Sequence, residues 1–458
     1  MKTNLYKILG VSAVVIMLSQ SNLATAREDR AAGIKVPLPL DSAISYSVRN
    51  SRHLQLSYAK TAEAVANVHE MKDNRLPEFK VSGSYLRLNS PDVSLKVKLG
   101  SSSGGEQTQG SAVKVEQAAY GLANLSLPLF SGFRIKYGIE SANYLEKAAR
   151  YDAENDKEEV VLNTINAYGN LFKSMKTIEL IEQSLVQQQQ RVTEFSNLEQ
   201  NGLMARNDLL KARLQQSNIE LTLLDAQNNY NIACINMGLM LGIKDPASFV
   251  ADSNAFAIPA ESGNANQWEE IALKNRKDLS AIAYRKAASG AYIKSIKGEY
   301  YPGLAVTGGY IAADVPNLLT LTNALNLGIG LQYNMSSLWK TGAKLDVAKA
   351  RLHQLEANEG MMTDQLHLQI NQTYENYLLS MCKIEVYAKA IEQATENYRI
   401  SRNKYENNLV TTTDLLEADI AQLQSRLNFA FAKVDAAIAY KKLQQTAGVL
   451  TEAAGLFK

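Results

Sequence analysis

The strongest constraint on what this chain can fold into is an internal duplication. The stretch Asn201-Gly202-Leu203-Met204-Ala205-Arg206-Asn207-Asp208-Leu209-Leu210-Lys211-Ala212 is answered by Asn407-Asn408-Leu409-Val410-Thr411-Thr412-Thr413-Asp414-Leu415-Leu416-Glu417-Ala418. Each is a polar break between two long helical patterns, and each closes on Asp-Leu-Leu-x-Ala. Upstream, Val48 to Leu54 lines up with Leu273 to Leu279, and Pro77, Phe79, Val81, Gly83 and Tyr85 line up with Pro302, Leu304, Val306, Gly308 and Tyr310. Downstream, Tyr168 meets Tyr374 and Gly242 meets Gly448. Such a repeat obliges the chain to build one supersecondary unit twice. The first copy is longer, and its surplus falls around Leu99 to Glu106, a Gly- and Ser-rich stretch that reads as a loop.

Each copy reads helix, strand, loop, strand, long helix, tip, helix. The first spans 27–242, with a β-hairpin over about 78–130 and a coiled-coil hairpin over about 132–242. The second spans 266–448, with the corresponding hairpins over about 302–336 and 340–448. The opening helix is expected over about 41–73, capped by Asp41, and its counterpart over about 267–299. Residues 243–265, rich in Pro, Ala, Ser and Asn, read as a linker lying across the helices, and 27–40 and 449–458 read as similar tails.

The strands carry a period of two. Apolar Leu325, Leu327, Ile329 and Leu331 alternate with Asn326, Gly328, Gly330 and Gln332. Leu125 and Leu127 alternate with Asn124 and Ser126, while Phe79, Val81 and Tyr85 share one face, as do Leu304 and Val306. The apolar set is expected to face lipid, and Asn326, Gln332 and Asn334 a watery lumen. The segments approach the roughly 9–11 residues that a tilted strand needs to cross a bilayer. Four strands cannot close a barrel, and an open edge is not viable in lipid, so several copies must share one barrel. Two copies would give eight strands and three would give twelve.

The long helices carry heptads. Ile370, Tyr374, Tyr377, Met381, Ile384, Ala388, Ile391, Thr395 and Tyr398 follow a 4,3 spacing, and Leu416, Ile420, Leu423, Leu427, Ala430 and Val434 follow it on the return. The first copy repeats this with Val161, Ile165, Tyr168, Phe172 and Met175, then Leu210, Leu214, Leu221 and Leu224. At 1.5 Å per residue, ascending runs of about 65 residues reach roughly 100 Å. Many Gln, Asn, Ala and Tyr in the seams suit a helical wall with a wet inner side.

Composition excludes several classes. Net charge is +2 over 458 residues, which leaves no footprint for nucleic acid. Residues 1–26 read as a secretory signal: Lys2 and Lys7, an apolar core from Ile8 to Leu18, and Ala24-Thr25-Ala26 as the cleavage site. No other segment is apolar enough for a transmembrane helix. Cys234 and Cys382 have no metal or redox spacing and are expected to be small buried residues. His53, His69, His353 and His367 form no ligand motif, and no phosphate loop or nucleophile elbow is present. A non-enzyme without cofactor is expected.

The tips carry what chemistry remains. Asp414 and Glu417 lie three apart and share a helix face, and Asp208 holds the place of Asp414 in the first copy. A helix-start acid is favoured by the dipole, and Thr411 with Asp414 resembles a capping box. Around a symmetry axis the same acids become rings at an aperture, with Arg206 as the nearest basic group to compensate.

The signal, the duplication, the two β-hairpins and the Gly-Leu-x-x-x-x-Asp-Leu-Leu-x-Ala tip together resemble the TolC-like outer-membrane efflux proteins over about 41–448. That resemblance implies an α+β membrane protein: a homotrimer whose twelve strands form one outer-membrane barrel, continued by a periplasmic coiled-coil tunnel. It implies tips that dock a periplasmic adaptor (membrane fusion protein) serving an inner-membrane transporter. Gly202, Leu203, Met204, Ala205, Arg206, Asn408, Leu409, Val410, Thr411 and Thr412 stand at those tips. It further implies that Asp414 and Glu417 line the periplasmic constriction and that Asp208 joins the links holding it shut. Val410 departs from the pattern by standing where a basic linking residue is known, and Asn408 replaces the usual Gly. The rival reading is a soluble periplasmic coiled-coil scaffold or adaptor.

Overall fold

The computed structural model describes residues 35–89, 92–93, 113–243, 248–257, 263–316, 318–453 and 455. The expected signal over 1–26 and the loop at Leu99 to Glu106 lie outside the described residues, as do 244–247 and 258–262. In chain order the elements are β1 (Lys35–Leu38), α1 (Leu40–Asn50), α2 (Arg52–Asp73), β2 (Glu78–Arg87), β3 (Asp92–Val93), β4 (Val113–Lys114), β5 (Gln117–Phe130), α3 (Arg134–Gln200) and α4 (Arg206–Leu241). They continue with β6 (Ser248–Ala251), a 3-10 turn at Ser253–Phe256, α5 (Ala265–Asn275), α6 (Lys277–Lys297) and a 3-10 turn at Gly298–Tyr300. The last are β7 (Gly303–Val315), β8 (Leu319–Gln332), α7 (Ser337–Glu406), α8 (Thr412–Thr446) and α9 (Leu450–Ala453).

One folding unit comprises 59–151 and 280–361 and holds an antiparallel sheet in the order β2-β5-β7-β8. Register explains why alternation matters here. Phe79 sits opposite Leu125, and Leu125 opposite Gly308. Leu127 meets Val306, and Val306 meets Ile329. Leu304 meets Leu331, and Tyr310 meets Leu325. Directly opposed residues share a face, so every apolar strand residue singled out above, from Phe79, Val81 and Tyr85 to Leu331, lies on the same side. Leu325 and Leu327 are 81% exposed, and Val81 73%. On the other side Lys80, Asn124, Gly309 and Asn326 form a polar row. A Cβ at Gly309 would come within 2.8 Å of Asn326 Oδ1, so a larger residue there would displace that side chain. That side also carries Leu122 opposite Ile311, so it is less uniformly polar than expected. Gln332 ends β8, whereas Asn334 lies beyond it and its side chain accepts from the Ser336 N–H and hydroxyl. Asn334 is therefore a turn residue and not a strand position.

The other unit comprises residues up to 58, 152–279 and 362–458. Its core gathers Leu38, Tyr168, Leu171, Met237, Leu241 and Phe249, with a second cluster at Trp268, Leu366, Ile370 and Leu443. The supposed tail and linker are structural: β1 pairs in parallel with β6, Lys35 opposite Ser248 through Leu38 opposite Ala251. Fully buried Tyr168 joins them, its hydroxyl donating to Leu38 O at 2.7 Å and accepting from the Asp252 N–H at 2.7 Å. Burial of such a ring contributes about 2 kcal/mol, provided that its hydroxyl is satisfied.

Several expectations need correction. The opening helix is two helices, because Ser51 is extended at ψ 120 and its Oγ accepts from the Leu54 N–H, ending α1 and capping α2. Its counterpart breaks likewise at Arg276, ψ 123. Asp41 is not a cap. Pro39, fixed at φ −64, precedes the helix, and Asp41 lies in the first turn. Cys234 is buried but Cys382 is exposed. The α7 seam runs through Tyr387 and Ala394, with Ala388 and Thr395 exposed, as a 3.6-residue helix drifts against a 3.5 repeat. On α4 the expected seam of Leu210, Leu214, Leu221 and Leu224 points outward, 50%, 65%, 61% and 61% exposed. Small Ala212 and Ala226 with Leu209 and Ile219 face the hairpin interior in their place.

The C-terminal segment is likewise no tail. Leu450 is fully buried against Ile44, Val161 and Ile165, and Thr451 Oγ1 donates to Glu158 Oε1 at 3.1 Å. Burial pushes the Glu158 carboxyl from its ordinary 4.5 up to about 7, against the lowering pull of Thr451 and Lys277 and with the Glu452 charge adding to the rise. A carboxyl whose folded pKa is raised binds its proton more tightly in the native state. Its contribution to stability is therefore present below pH 4.5 and is lost as pH rises toward 7, by about 3 kcal/mol. Thermal unfolding of the Glu158→Gln variant should lose that slope between pH 5 and 8. A variant retaining the wild-type slope would remove Glu158 as its source.

Candidate functional site: the paired tips

Both tips are built by the same backbone device. At the first, Gly202 adopts φ 73 and Leu203 N–H donates back to Leu198 O at 2.9 Å. At the second, Asn408 adopts φ 57 and Leu409 N–H donates to Lys404 O at 2.9 Å. A left-handed residue after the helix followed by a six-to-one bond is the Schellman turn, and Asn tolerates it next best to Gly. The turn throws the next side chain outward, so Leu203 and Leu409 are 75% and 73% exposed. Ala205 caps α4 with no side-chain bond, and Arg206 is its first residue. Thr411 caps α8 in a full capping box with Asp414, and Thr412 is buried behind it.

The tips flank a groove of about 950 Å³. Phe195, Leu415, Met204 and Tyr405 line it, and they pack with Leu209 and Ala212 in one apolar cluster. Leu203, Ala205, Asp208, Asn408, Val410 and Thr411 are on its wall. Burial raises the Tyr405 hydroxyl pKa, and the Asp208 charge adds to the rise while a hydrogen bond with Thr412 opposes it.

The acids divide into two kinds. Asp208 is half-buried and accepts from Lys211 Nζ at 3.2 Å, so its compensating cation is Lys211 and not Arg206. Asp414 is exposed and bonded to the Thr411 hydroxyl at 2.7 Å and N–H at 2.9 Å, which hold its carboxyl below the ordinary range. Glu417 is exposed on the same helix face. It occupies the position that Lys211 holds in the first copy. The first tip is thus neutralised in place, whereas the second keeps two acids facing solvent.

Sequence reasoning missed a buried ion pair at the groove, which Arg191 and Tyr398 help to line. Arg191 Nη1 donates to Asp419 Oδ2 at 2.7 Å and to Gln188 Oε1 at 3.1 Å, and Nη2 donates to Tyr398 OH at 2.7 Å. Both charged side chains are only 8% exposed. Gln188 in turn donates to Ala212 O at 2.9 Å. Four helices of the two hairpins thus meet in one polar network. Its signal was available: Asp419 stands where the first copy has Arg213. A charge reversed between copies marks a contact made once only.

Residues 43–243 and 268–449 match the family described as Outer membrane efflux protein. This chain belongs to that family. Outer membrane efflux proteins similar to it include the alkaline protease secretion protein AprF of Pseudomonas aeruginosa, 19% identical over 340 residues, 72% of this chain and 69% of AprF. The outer membrane protein TolC of Escherichia coli is 23% identical over 232 residues, 50% of this chain and 45% of TolC. Among solved structures, the Campylobacter jejuni CmeC outer membrane channel superposes with a TM-score of 0.72 at 16% identity, over 90% of this chain and 86% of that one. At that identity the likeness is one of fold. An outer membrane efflux protein resides in the outer membrane, and the one-sided apolar sheet gives this chain a surface for that place.

Proposed function

We propose that this chain is the outer-membrane channel-tunnel of a tripartite efflux or type I secretion system, working as a passive homotrimer. The observation that carries this is the sheet: one side is apolar from Phe79 and Leu331 through Val81 and Leu325, with Arg87, Gln117, Asp314 and Thr320 confined to one end, and β2 and β8 are its edges among the described residues. A soluble adaptor has no use for such a face, and in lipid both edges need partners. Three copies would supply twelve strands. The leucine stripe of α4 supports the same reading, since an unpartnered heptad face suits a second copy. In this reading the tip groove and the exposed Leu203 and Leu409 receive the periplasmic adaptor, through which an inner-membrane transporter drives export.

The second tips would then ring an aperture with Asp414 and Glu417, while Asp208, held by Lys211, would stand beside it. A ring of unneutralised carboxylates attracts cations at a constriction. In planar bilayers, the Asp414→Ala/Glu417→Ala double variant is expected to change single-channel conductance. It should also weaken block by multivalent cations about tenfold, the loss of roughly one charge-assisted contact. Unchanged conductance and block would leave these acids as helix caps alone.

A further inference from the structure

Below the last apolar row of the sheet, an aromatic and basic cluster occupies the start of α3. After the bulge at Pro128 to Phe130, Phe130 pairs with Leu304 and so belongs to the exposed apolar side. Gly132 and Phe133 follow, both left-handed, at φ 63 and φ 64. For a bulky residue this conformation is strained, and it persists only where its surroundings enforce it. Gly132 packs so closely on the Gly298 backbone that a Cβ would stand 2.2 Å from Gly298 O. The turn therefore cannot relax. It presents Phe133 to solvent, 51% exposed, edge-on to Phe130 at 5.2 Å between centroids. Tyr137 lies one turn further, 6.5 Å from Phe133. The same clamp brings α6 alongside, so that Lys136 Nζ and Lys294 Nζ sit 5.7 Å and 5.5 Å from the Tyr137 ring.

Leading away from the sheet, the aliphatic rows give way to two phenyl rings and then to a phenol attended by two ammonium groups. That is the polarity profile from hydrocarbon through the interface to the phosphate plane. Charge supports it. The first turn of α3 contains no acid, and neither lysine makes an ion pair among the described residues. The nearby Glu299 is engaged by Lys344 and Thr341.

We propose that Phe130, Phe133, Tyr137, Lys136 and Lys294 form a binding site for the phosphodiester of an anionic glycerophospholipid in the periplasmic leaflet. It rests on the reading that the apolar side of the sheet faces lipid. The two lysines clamp the phosphate, and the rings pack on the glycerol and upper acyl chains. Zwitterionic lipid carries an ammonium that the lysines repel, so the site selects net negative headgroups.

The test uses the full chain extracted from outer membranes and exposed to equimolar phosphatidylglycerol and phosphatidylcholine of matched acyl chains, with bound lipid counted by native mass spectrometry. Wild type should retain phosphatidylglycerol preferentially, and Lys136→Gln/Lys294→Gln should lose that preference about tenfold. The Lys136→Arg/Lys294→Arg variant should keep it, which guards against a folding defect in the neutral pair. Glycerol phosphate, which lacks acyl chains, should not compete, and competition by it would overturn the lipid in favour of a free-phosphate site. Equal retention by wild type and the neutral pair, with both recovered from the outer membrane, would overturn the proposal and leave the lipid-facing sheet intact. Failure of wild type to fractionate with the outer membrane would take down that reading and this one together.

Discussion

Arginine at Leu327 or Ile329 should abolish recovery of the chain from the outer membrane, while arginine at Asn326 should leave recovery normal. The three positions are neighbours on one strand, and only the face differs. Leu327 is opposite Gly308 and Ile329 opposite Val306, on the side that includes Phe79 and Leu125. Asn326 is opposite Gly309, in the polar row. An arginine facing lipid at mid-bilayer costs about 2–4 kcal/mol in each chain, and roughly three times that in a trimer. Facing water in a lumen it costs little. Membrane fractionation and an SDS-resistant oligomer on gels read the outcome. Normal oligomers from Leu327→Arg would sink the assignment of the faces, and loss of both Leu327→Arg and Asn326→Arg would show a strand intolerant of bulk on either side.

The second large effect belongs to Arg191 and Asp419. Removing either one strands the other charge in a place only 8% exposed, which should destabilise the tip-side hairpins by about 3–5 kcal/mol. Thermal unfolding and trypsin sensitivity of Arg191→Met or Asp419→Leu would read this directly. The double variant should recover most of the loss, since a buried pair replaced by apolar groups is often neutral. Tyr398 and Gln188 would each lose a partner in the double variant, so recovery is expected to be incomplete. Additive losses would show that the two residues act independently.

What the sequence disclosed follows from the range of each signal. Alternation in Leu325 to Gln332 is local, and pairing in register converts it directly into a face. The repeated tip was visible because Gly202 and Asn408 meet the same backbone demand. Breaks at Ser51 and Arg276 were hidden, because one extended residue leaves the flanking periodicity intact. The α4 leucines show a different limit. Leu210, Leu214, Leu221 and Leu224 carry the heptad spacing whether their partner is the same chain or another. Sequence gave the stripe but not its direction, and the small Ala212 and Ala226 faced inward because they allow closer helix approach. Arg191 and Asp419 could be joined only by folding the chain, though the reversal against Arg213 hinted that Asp419 has a partner of its own.

The parallel pair of β1 and β6 carries a consequence for the order of events in making the protein. Lys35 to Leu38 cannot find Ser248 to Ala251 until nearly half the sequence has emerged between them. Closure over so long a stretch is entropically slow, and it is sealed by Tyr168, whose hydroxyl needs both segments at once. The first hairpin therefore has to wait, open at its base, for the segment that introduces the second. Once that strand docks, the base of the first hairpin is closed while Ile44, Val161 and Ile165 still wait for Leu450, and the duplication becomes a timetable for folding as well as a pattern in space.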